Sequence, residues 1–328
     1  MNTKKVNWAI LAPGKIAHKF ATALQGVDDA HLYSVASRNR DRADSFAKQY
    51  GFETVANSYA DLVADPKVDI VYIASPHNLH AEQSITCLDA KKAVLCEKPM
   101  SINAGEAKQV FDTAERNNTF YMEAVWTRFI PMLSKVRELI DNDIIGEVQT
   151  AQTSFGFEMP LEAEHRLYDL KLGGGALLDI GIYTITFAQW LMQTPPTDIA
   201  ALSHLGPTGV DERTSIVLRY PEGQLITLNS AITSESNREA WIFGSKGSIK
   251  MPSFWRSEEI ILNLDGQQQL IKIPHRINGY EGEIEEANRC LNANKIQSNI
   301  FPWSESLTVM EIMDQVRAKI GLRYPSDG

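Results

Sequence analysis

Val6-Asn7-Trp8-Ala9-Ile10-Leu11-Ala12-Pro13-Gly14-Lys15-Ile16-Ala17 begins as a short apolar strand, turns at Pro13-Gly14 and passes into a helical pattern that holds through Leu24. Strand, glycine turn and helix in that order is how a dinucleotide-binding unit opens. The helix start aims unpaired N–H groups and the positive end of its dipole at a pyrophosphate. Gly14 lets the backbone come close to it. Against the spacing G-x-G-x-x-G, Ala12 stands at the first glycine position and Ala17 at the third. An ordinary β–α turn would carry much the same pattern, so the segments that follow decide.

Five further apolar runs, at residues 31–36, 54–55, 68–74, 93–96 and 120–124, are separated by helical patterns. Six strands alternating with helices predict an α/β Rossmann fold, a doubly wound parallel sheet, over residues 1–124. The run at 68–74 is the most continuous and belongs at the centre of the sheet, buried on both faces. Ligands bind such sheets outside the carboxyl ends of the strands, which makes the residues just after each run the candidate site. After the second run stand Ser37-Arg38-Asn39-Arg40, not the acid that would take both ribose hydroxyls of NAD. A guanidinium offers phosphate oxygens a planar fork of donors, so Ser37, Arg38 and Arg42 favour NADP over NAD, with Arg40 left to a solvated helix start. Together with Ala12, Gly14, Lys15 and Ile16 they form the candidate cofactor grip.

The central run ends in Ser75-Pro76-His77-Asn78-Leu79-His80, on the same lip. Ser75, Pro76, His77 and His80 are expected to border the nicotinamide side of the cofactor. Two histidines invite a metal reading, but no third ligand is suggested nearby, and a histidine capping the next helix accounts for them. The next run ends in Leu95-Cys96-Glu97-Lys98-Pro99-Met100, where Pro99 stops the strand by removing a backbone donor. Lys98 faces the crevice there and is the candidate centre of the site, with Glu97 beside it. An isolated Glu-Lys-Pro would mean only a surface lysine in a connecting loop.

From Gln149 onward, β-rich runs replace the β–α alternation, at 149–157, 198–204, 214–220, 225–232, 239–243, 248–251, 259–264 and 269–273. Turn signals such as Pro221-Glu222-Gly223, Ser245-Lys246-Gly247 and Asp265-Gly266 separate several of them. Residues 125–328 are therefore expected to form an α+β domain with a largely antiparallel, open-faced sheet. Residues 280–292 and 304–320 read as helices, the second of them expected to pack back on the first domain.

Within this half, Gly173-Gly174-Gly175-Ala176-Leu177-Leu178-Asp179-Ile180-Gly181-Ile182-Tyr183 reads as a glycine turn opening a helix that continues to about Leu191. Asp179 and Tyr183 are four apart and share a face. An aspartate can order a phenol by hydrogen bonding, which makes Tyr183 a candidate general acid and base. A packed helix with a buried tyrosine hydroxyl is the competing reading.

At 328 residues the chain is long for a single core, in keeping with two domains. Contents of 44% hydrophobic and 22% charged residues are those of a globular chain, and no apolar run approaches the ~20 residues of a membrane span. No small-residue cleavage site follows the N-terminal segment, so a cytoplasmic location is expected. A net charge of -9 disfavours nucleic acid as a partner. Cys87, Cys96 and Cys290 are odd in number and widely spaced, giving neither a disulfide framework nor a zinc motif, and no metal is expected.

Taken together, the turn from Ala12 to Ala17, Glu97-Lys98-Pro99 and the stretch from Gly173 to Tyr183 resemble the glucose-fructose oxidoreductase / inositol dehydrogenase / MocA (Gfo/Idh/MocA) family of NAD(P)-dependent oxidoreductases. Tyr121-Met122-Glu123-Ala124-Val125-Trp126-Thr127-Arg128-Phe129 and His165-Arg166-Leu167-Tyr168 are similar to its dimeric dihydrodiol dehydrogenase and NADP-dependent D-xylose dehydrogenase branch. The resemblance implies a cofactor across the lip of the first domain, a substrate wall formed by the second domain's sheet, and a homodimer. It implies that Lys98 contacts the nicotinamide ribose and the reacting oxygen, that Tyr183 exchanges the substrate proton, and that Asp179 orients the site. Glu97 joins the cofactor contacts, while Trp126, Arg128 and Arg166 shape the substrate pocket.

The expected activity is hydride transfer between NADP and a secondary alcohol or carbonyl of a sugar or cyclic trans-diol, with small molecules as the only partners besides a second copy. No membrane or nucleic-acid partner is expected. The alternative is a non-catalytic NADP-binding sensor or regulator of the same fold, which has no physical need to keep Lys98, Asp179 and Tyr183.

Overall fold

The computed structural model describes residues 5–327. In chain order the first elements are β1 (Val6–Leu11), α1 (Lys15–Gln25), β2 (Ala30–Ala36), α2 (Arg40–Tyr50), β3 (Thr54–Val55), α3 (Tyr59–Ala64), β4 (Ile70–Ile73), α4 (His80–Asp89), β5 (Ala93–Glu97), α5 (Ala104–Asn117) and β6 (Tyr121–Ala124). There follow α6 (Pro131–Asp141), β7 (Val148–Gly156), a π-helical turn (Leu177–Gly181) that runs into α7 (Ile182–Met192), and β8 (Asp198–Leu205). The chain then forms β9 (Asp211–Arg219), β10 (Leu225–Ala231), β11 (Ala240–Gly244), β12 (Gly247–Met251), β13 (Glu259–Leu264), β14 (Gln267–Lys272), α8 (Glu281–Asn292) and α9 (Trp303–Ile320).

Contacts divide the chain into two units. The first holds the residues up to Ser101, Gly105–Phe129 and Arg276–Ser304; the second holds Ile102–Ala104, Ile130–His275 and the residues from Glu305 on. A single boundary after residue 124 therefore gives way to an interleaved division, in which α8 belongs with the first six strands and most of α9 belongs with the second unit. Side-chain chemistry explains where α8 sits: the Trp8 indole N–H donates to Asn288 Oδ1 at 3.0 Å, and the Asn288 amide donates to Asp29 at 2.7 Å. Part of the β6 edge is covered as well, since the Tyr121 N–H donates to the Ile296 carbonyl at 3.0 Å and the Trp303 indole N–H donates to the Tyr121 carbonyl at 2.9 Å.

The first unit's sheet is parallel throughout, in the order β3-β2-β1-β4-β5-β6. β4 and β5 are buried at every residue, as their continuous apolar runs require. α1 turns Ala17, Phe20, Ala21, Ala23 and Leu24 inward at helical spacing. Asn39 caps α2 by accepting the Arg42 N–H at 2.9 Å, and Gly51, at φ 80°, ends that helix in the left-handed conformation. The strand order reverses between β1 and β4, so the carboxyl ends of those neighbours bound the crevice of the sheet.

The second unit is built on an eight-stranded sheet, β14-β13-β12-β11-β7-β10-β9-β8. Only β7 and β10 run parallel to each other in it. One face buries Ala151, Ile216, Leu218, Ile226, Leu228, Ile242 and Ile260, with α7 against β7 and β10. The other face carries exposed Leu202, Val217, Leu225 and Leu270. Within Leu170–Met192 lies an 18-residue window apolar enough by composition to cross a membrane, but 94% of that window is buried inside the protein. A helix apolar on all sides is a core helix when the fold surrounds it.

Candidate active site

In the first unit, the carboxyl ends of β1, β2, β4 and β5 bring the expected cofactor residues to one edge of one sheet. Ala12 leaves β1 at φ 62°, a left-handed conformation that explains why a glycine suits this position. Gly14 is the N-cap of α1, and no side chain caps that helix start. A Cβ on Gly14 would meet only the Ala74 and Ala12 carbonyl oxygens, at 3.7 and 3.9 Å. Neither dihedral strain nor protein packing demands glycine there, and the space left open suits a phosphate on the uncapped N–H groups of Lys15 and Ile16. At the end of β2, Ser37 Oγ accepts the Asn39 N–H at 3.2 Å, and Arg38 and Arg42 are exposed. Arg40 pairs with Asp44 at 2.9 Å and with Asn57 at 2.7 Å, as expected of a helix-start residue.

Lys98 is half-buried in a loop held from both sides. Before it, the Glu97 carboxylate accepts the Tyr72 hydroxyl and, at 3.3 Å, the Lys98 N–H. After it, the Pro99 carbonyl lies 2.7 Å from His80 Nδ1, and the Met100 N–H donates to Glu123 at 3.0 Å. The Lys98–Pro99 bond is cis. His80 Nε2 lies 2.8 Å from the Ser75 carbonyl, and the Ser75 hydroxyl donates to Gln83 at 2.7 Å. His77 is buried, with its ring centroid 5.8 Å from that of His80. The structure thus turns the Glu97 carboxyl inward, onto Tyr72, where it supports the lysine loop. Among the described residues no group of three or more His, Cys, Asp or Glu side chains could hold a metal ion.

Trp126 and Arg128, expected at the substrate, are both buried against the returning segment of the first unit. Trp126 stacks on Tyr280 at 4.5 Å and 10°. Arg128 donates to the Ile300 carbonyl at 2.6 Å and lies 5.1 Å over the Phe301 ring. Behind them is an acid that sequence reading missed. Glu283, fully buried on α8, has no hydrogen-bond partner for either carboxyl oxygen among the described residues. Burial, reinforced by the charge of Glu97, pushes its carboxyl well above the usual range.

In the second unit the glycine turn has little freedom of sequence. Gly173 and Gly175 have φ 73° and 116°, and a Cβ on Gly174 would lie 2.7 Å from the Leu167 carbonyl oxygen. The turn opens the π-helical stretch that carries Asp179, and Tyr183 follows in the first turn of α7. Such wide turns concentrate at functional sites. Asp179 is 5% exposed and accepts Arg166 Nη1 at 2.9 Å, a charge-assisted bond that brings two of the expected site residues together.

Tyr183 is 7% exposed, its ring 5.6 Å from that of Phe155, which lies 4.4 Å from Trp255. This aromatic wall was not legible beforehand, because strand position alone does not say which ring faces Tyr183. Asp211, at the start of β9, accepts the Leu177 N–H at 2.8 Å and the Thr214 hydroxyl at 2.7 Å. Burial pushes its carboxyl up to about 7.

Residues 6–125 match an oxidoreductase family with an NAD-binding Rossmann fold, and residues 133–250 match the GFO/IDH/MocA C-terminal domain. The chain belongs to the Gfo/Idh/MocA oxidoreductase family. This Gfo/Idh/MocA protein is 33% identical to trans-1,2-dihydrobenzene-1,2-diol dehydrogenase of Mus musculus, covering 98% of this chain and 99% of the relative. It is also 33% identical to the D-xylose 1-dehydrogenase (NADP(+)) of Hypocrea jecorina, over 99% and 94% of the two chains. A 3-ketoreductase from Actinomadura kijaniata, solved with NADP and TDP-benzene, shares the fold with a TM-score of 0.88, at 24% identity over 97% of this chain and 98% of that one. The Gfo/Idh/MocA chain is accordingly an NAD(P)-dependent oxidoreductase.

Proposed function

We propose that this Gfo/Idh/MocA oxidoreductase transfers a hydride between NADP and a secondary alcohol, or the matching carbonyl, of a sugar or cyclic trans-diol. The observation that carries the reading is Lys98, fixed by Glu97, His80 and Glu123 at the carboxyl end of β5, on the sheet edge it shares with the uncapped turn at Gly14. Full-length likeness to a diol dehydrogenase and a sugar dehydrogenase supports the substrate class. Exposed Arg38 and Arg42 at the end of β2, where no acid stands, support the 2′-phosphate.

When bound, the nicotinamide supplies the hydride acceptor for oxidation and the donor for reduction. In oxidation Tyr183 takes the proton from the substrate hydroxyl, and in reduction it returns it. Lys98 stabilises the negative charge that develops on that oxygen. Asp179, its charge shared with Arg166, orients the reacting group. Phe155 and Trp255 offer aromatic faces to the apolar side of a ring-shaped substrate. Trp126 and Arg166 keep pocket roles, whereas Arg128 anchors the segment bearing Ile300 and Phe301.

A homodimer through the sheet face bearing Leu202, Val217, Leu225 and Leu270 would cover side chains that are otherwise in water, and sedimentation of wild type against Leu202→Glu tests it. The free, buried Cys87, Cys96 and Cys290 support a reducing cytoplasm.

The deciding experiment is incubation with NADP⁺ and a panel of pentoses, hexoses and trans-diols, followed by reduced-cofactor absorbance. Turnover of at least one substrate is expected. Silence throughout the panel, and with NADPH and the corresponding carbonyls, would overturn the proposed substrate class.

A further inference from the structure

We propose that Asp211 and Tyr324 are positioning residues of the reaction: together they fix the glycine turn from which Asp179 and Tyr183 are presented. This role rests on the assignment of Asp179 and Tyr183 made above.

The π-helical stretch beginning at Leu177 has no local side-chain cap. Its cap arrives from another strand, because the completely buried Asp211 carboxylate accepts the Leu177 N–H at 2.8 Å. The same oxygen accepts the Thr214 hydroxyl at 2.7 Å, which fixes its direction. On the other side of the turn, the buried Tyr324 hydroxyl donates to the Gly174 carbonyl at 2.6 Å. Both groups press on the glycine between them: a Cβ on Gly175 would overlap the Asp211 carboxyl and lie 3.3 Å from the Tyr324 hydroxyl.

Tyr324 is itself braced. Its N–H donates to Asp327 at 2.8 Å, Asp327 accepts Arg317 at 2.6 Å, and the Arg317 guanidinium lies 5.3 Å over the Tyr324 ring. The C-terminal segment is thus a strut ending on the turn. A π-helical turn is a rare and poorly self-supporting conformation, so external ties of this kind decide where its side chains point. Displacing reacting groups by an ångström can cost about 100-fold in rate.

The test compares Asp211→Ala, Asp211→Asn and Tyr324→Phe by kcat, KM, NADP affinity and amide hydrogen exchange across residues 174–183. Asp211→Ala should lower kcat about 10- to 100-fold and speed exchange in that stretch, with KM and NADP affinity within about threefold of wild type. Asp211→Asn keeps an acceptor for Leu177 and should recover most of the loss. Tyr324→Phe should show a smaller loss of the same kind.

A folded Asp211→Ala with wild-type exchange and kcat overturns the proposal, as does an Asn variant no better than the Ala variant. If Asp211→Ala does not fold, Tyr324→Phe decides, and unchanged exchange there overturns it. Exchange reads out the anchoring even if wild type turns over none of the substrates, so a failure of the oxidoreductase reading is seen separately.

Discussion

His80 holds Pro99 in place: Nδ1 of its ring lies 2.7 Å from the Pro99 carbonyl oxygen, while Nε2 reaches the Ser75 carbonyl at 2.8 Å. Carbonyl oxygens only accept, so both contacts are hydrogen bonds when the ring carries both protons. The ring links the loop after β4 to the residue that follows Lys98. His80→Leu should therefore weaken NADP binding about 10-fold, the loss expected for two modest hydrogen bonds, and lower kcat as well. Cofactor titration by fluorescence checks this, and a folded variant with unaltered affinity and rate would remove the ring from the site.

Tyr183→Phe should cut kcat by about 10²- to 10⁴-fold and leave NADP affinity largely intact, because it removes a proton carrier and little else. Lys98→Met should damage kcat and cofactor affinity together. Steady-state kinetics with a good substrate, alongside cofactor titration, separates the two patterns. Near-normal turnover by the phenylalanine variant would refute the proton-transfer role.

Asp211 makes stability depend on pH in a particular direction. Burial raises its carboxyl from 3.8 to about 7, partly opposed by the bonds from Thr214 and Leu177. A raised value means the folded state prefers the proton; the contribution to stability is full below the unfolded value of 3.8 and is lost as pH climbs through about 7. Asparagine does not titrate. The unfolding free energy of Asp211→Asn, relative to wild type, should climb by on the order of a few kcal/mol across that window and level off above it. Urea unfolding at a series of pH values measures the difference, and a flat profile would contradict the burial of this carboxyl.

Ala12 sits at φ 62°, where an L side chain costs about 1 kcal/mol. Glycine would relieve that strain but add freedom to the unfolded chain, so Ala12→Gly should leave stability within about 0.5 kcal/mol of wild type and keep NADP affinity. Valine, branched at Cβ, should destabilise by more than about 1 kcal/mol and weaken cofactor binding. Unfolding midpoints with and without NADP compare the two, and a harmless valine would show that the turn adopts another conformation.

Much of the fold was legible because it follows local periodicity. The continuous run at 68–74 became β4, interior to its sheet, and the alternation in the second half became the eight-stranded sheet nearly run for run. α6 was missed, although Pro131 at the first helical position and Leu133, Val136 and Leu139 on one face are its signal. What stayed hidden depends on distant partners. Nothing near Tyr280 or Glu283 says that their helix joins the first unit, where Tyr280 stacks on Trp126. Asp211, two residues after Gly209, looks like any turn aspartate until the Leu177 N–H is found on it. The proposed site residues stand out in the sequence by their motifs, whereas the support beneath them, such as Asp211 under Leu177, comes from partners far along the chain.

The bond between Trp8 and Asn288 also bears on how the molecule is made. A ribosome releases the indole early and the amide only after the entire eight-stranded sheet has been translated. The nascent nucleotide-binding half must therefore wait, unfinished, for its last helix, and a gene truncated between the two halves would yield a polypeptide with an unsealed core.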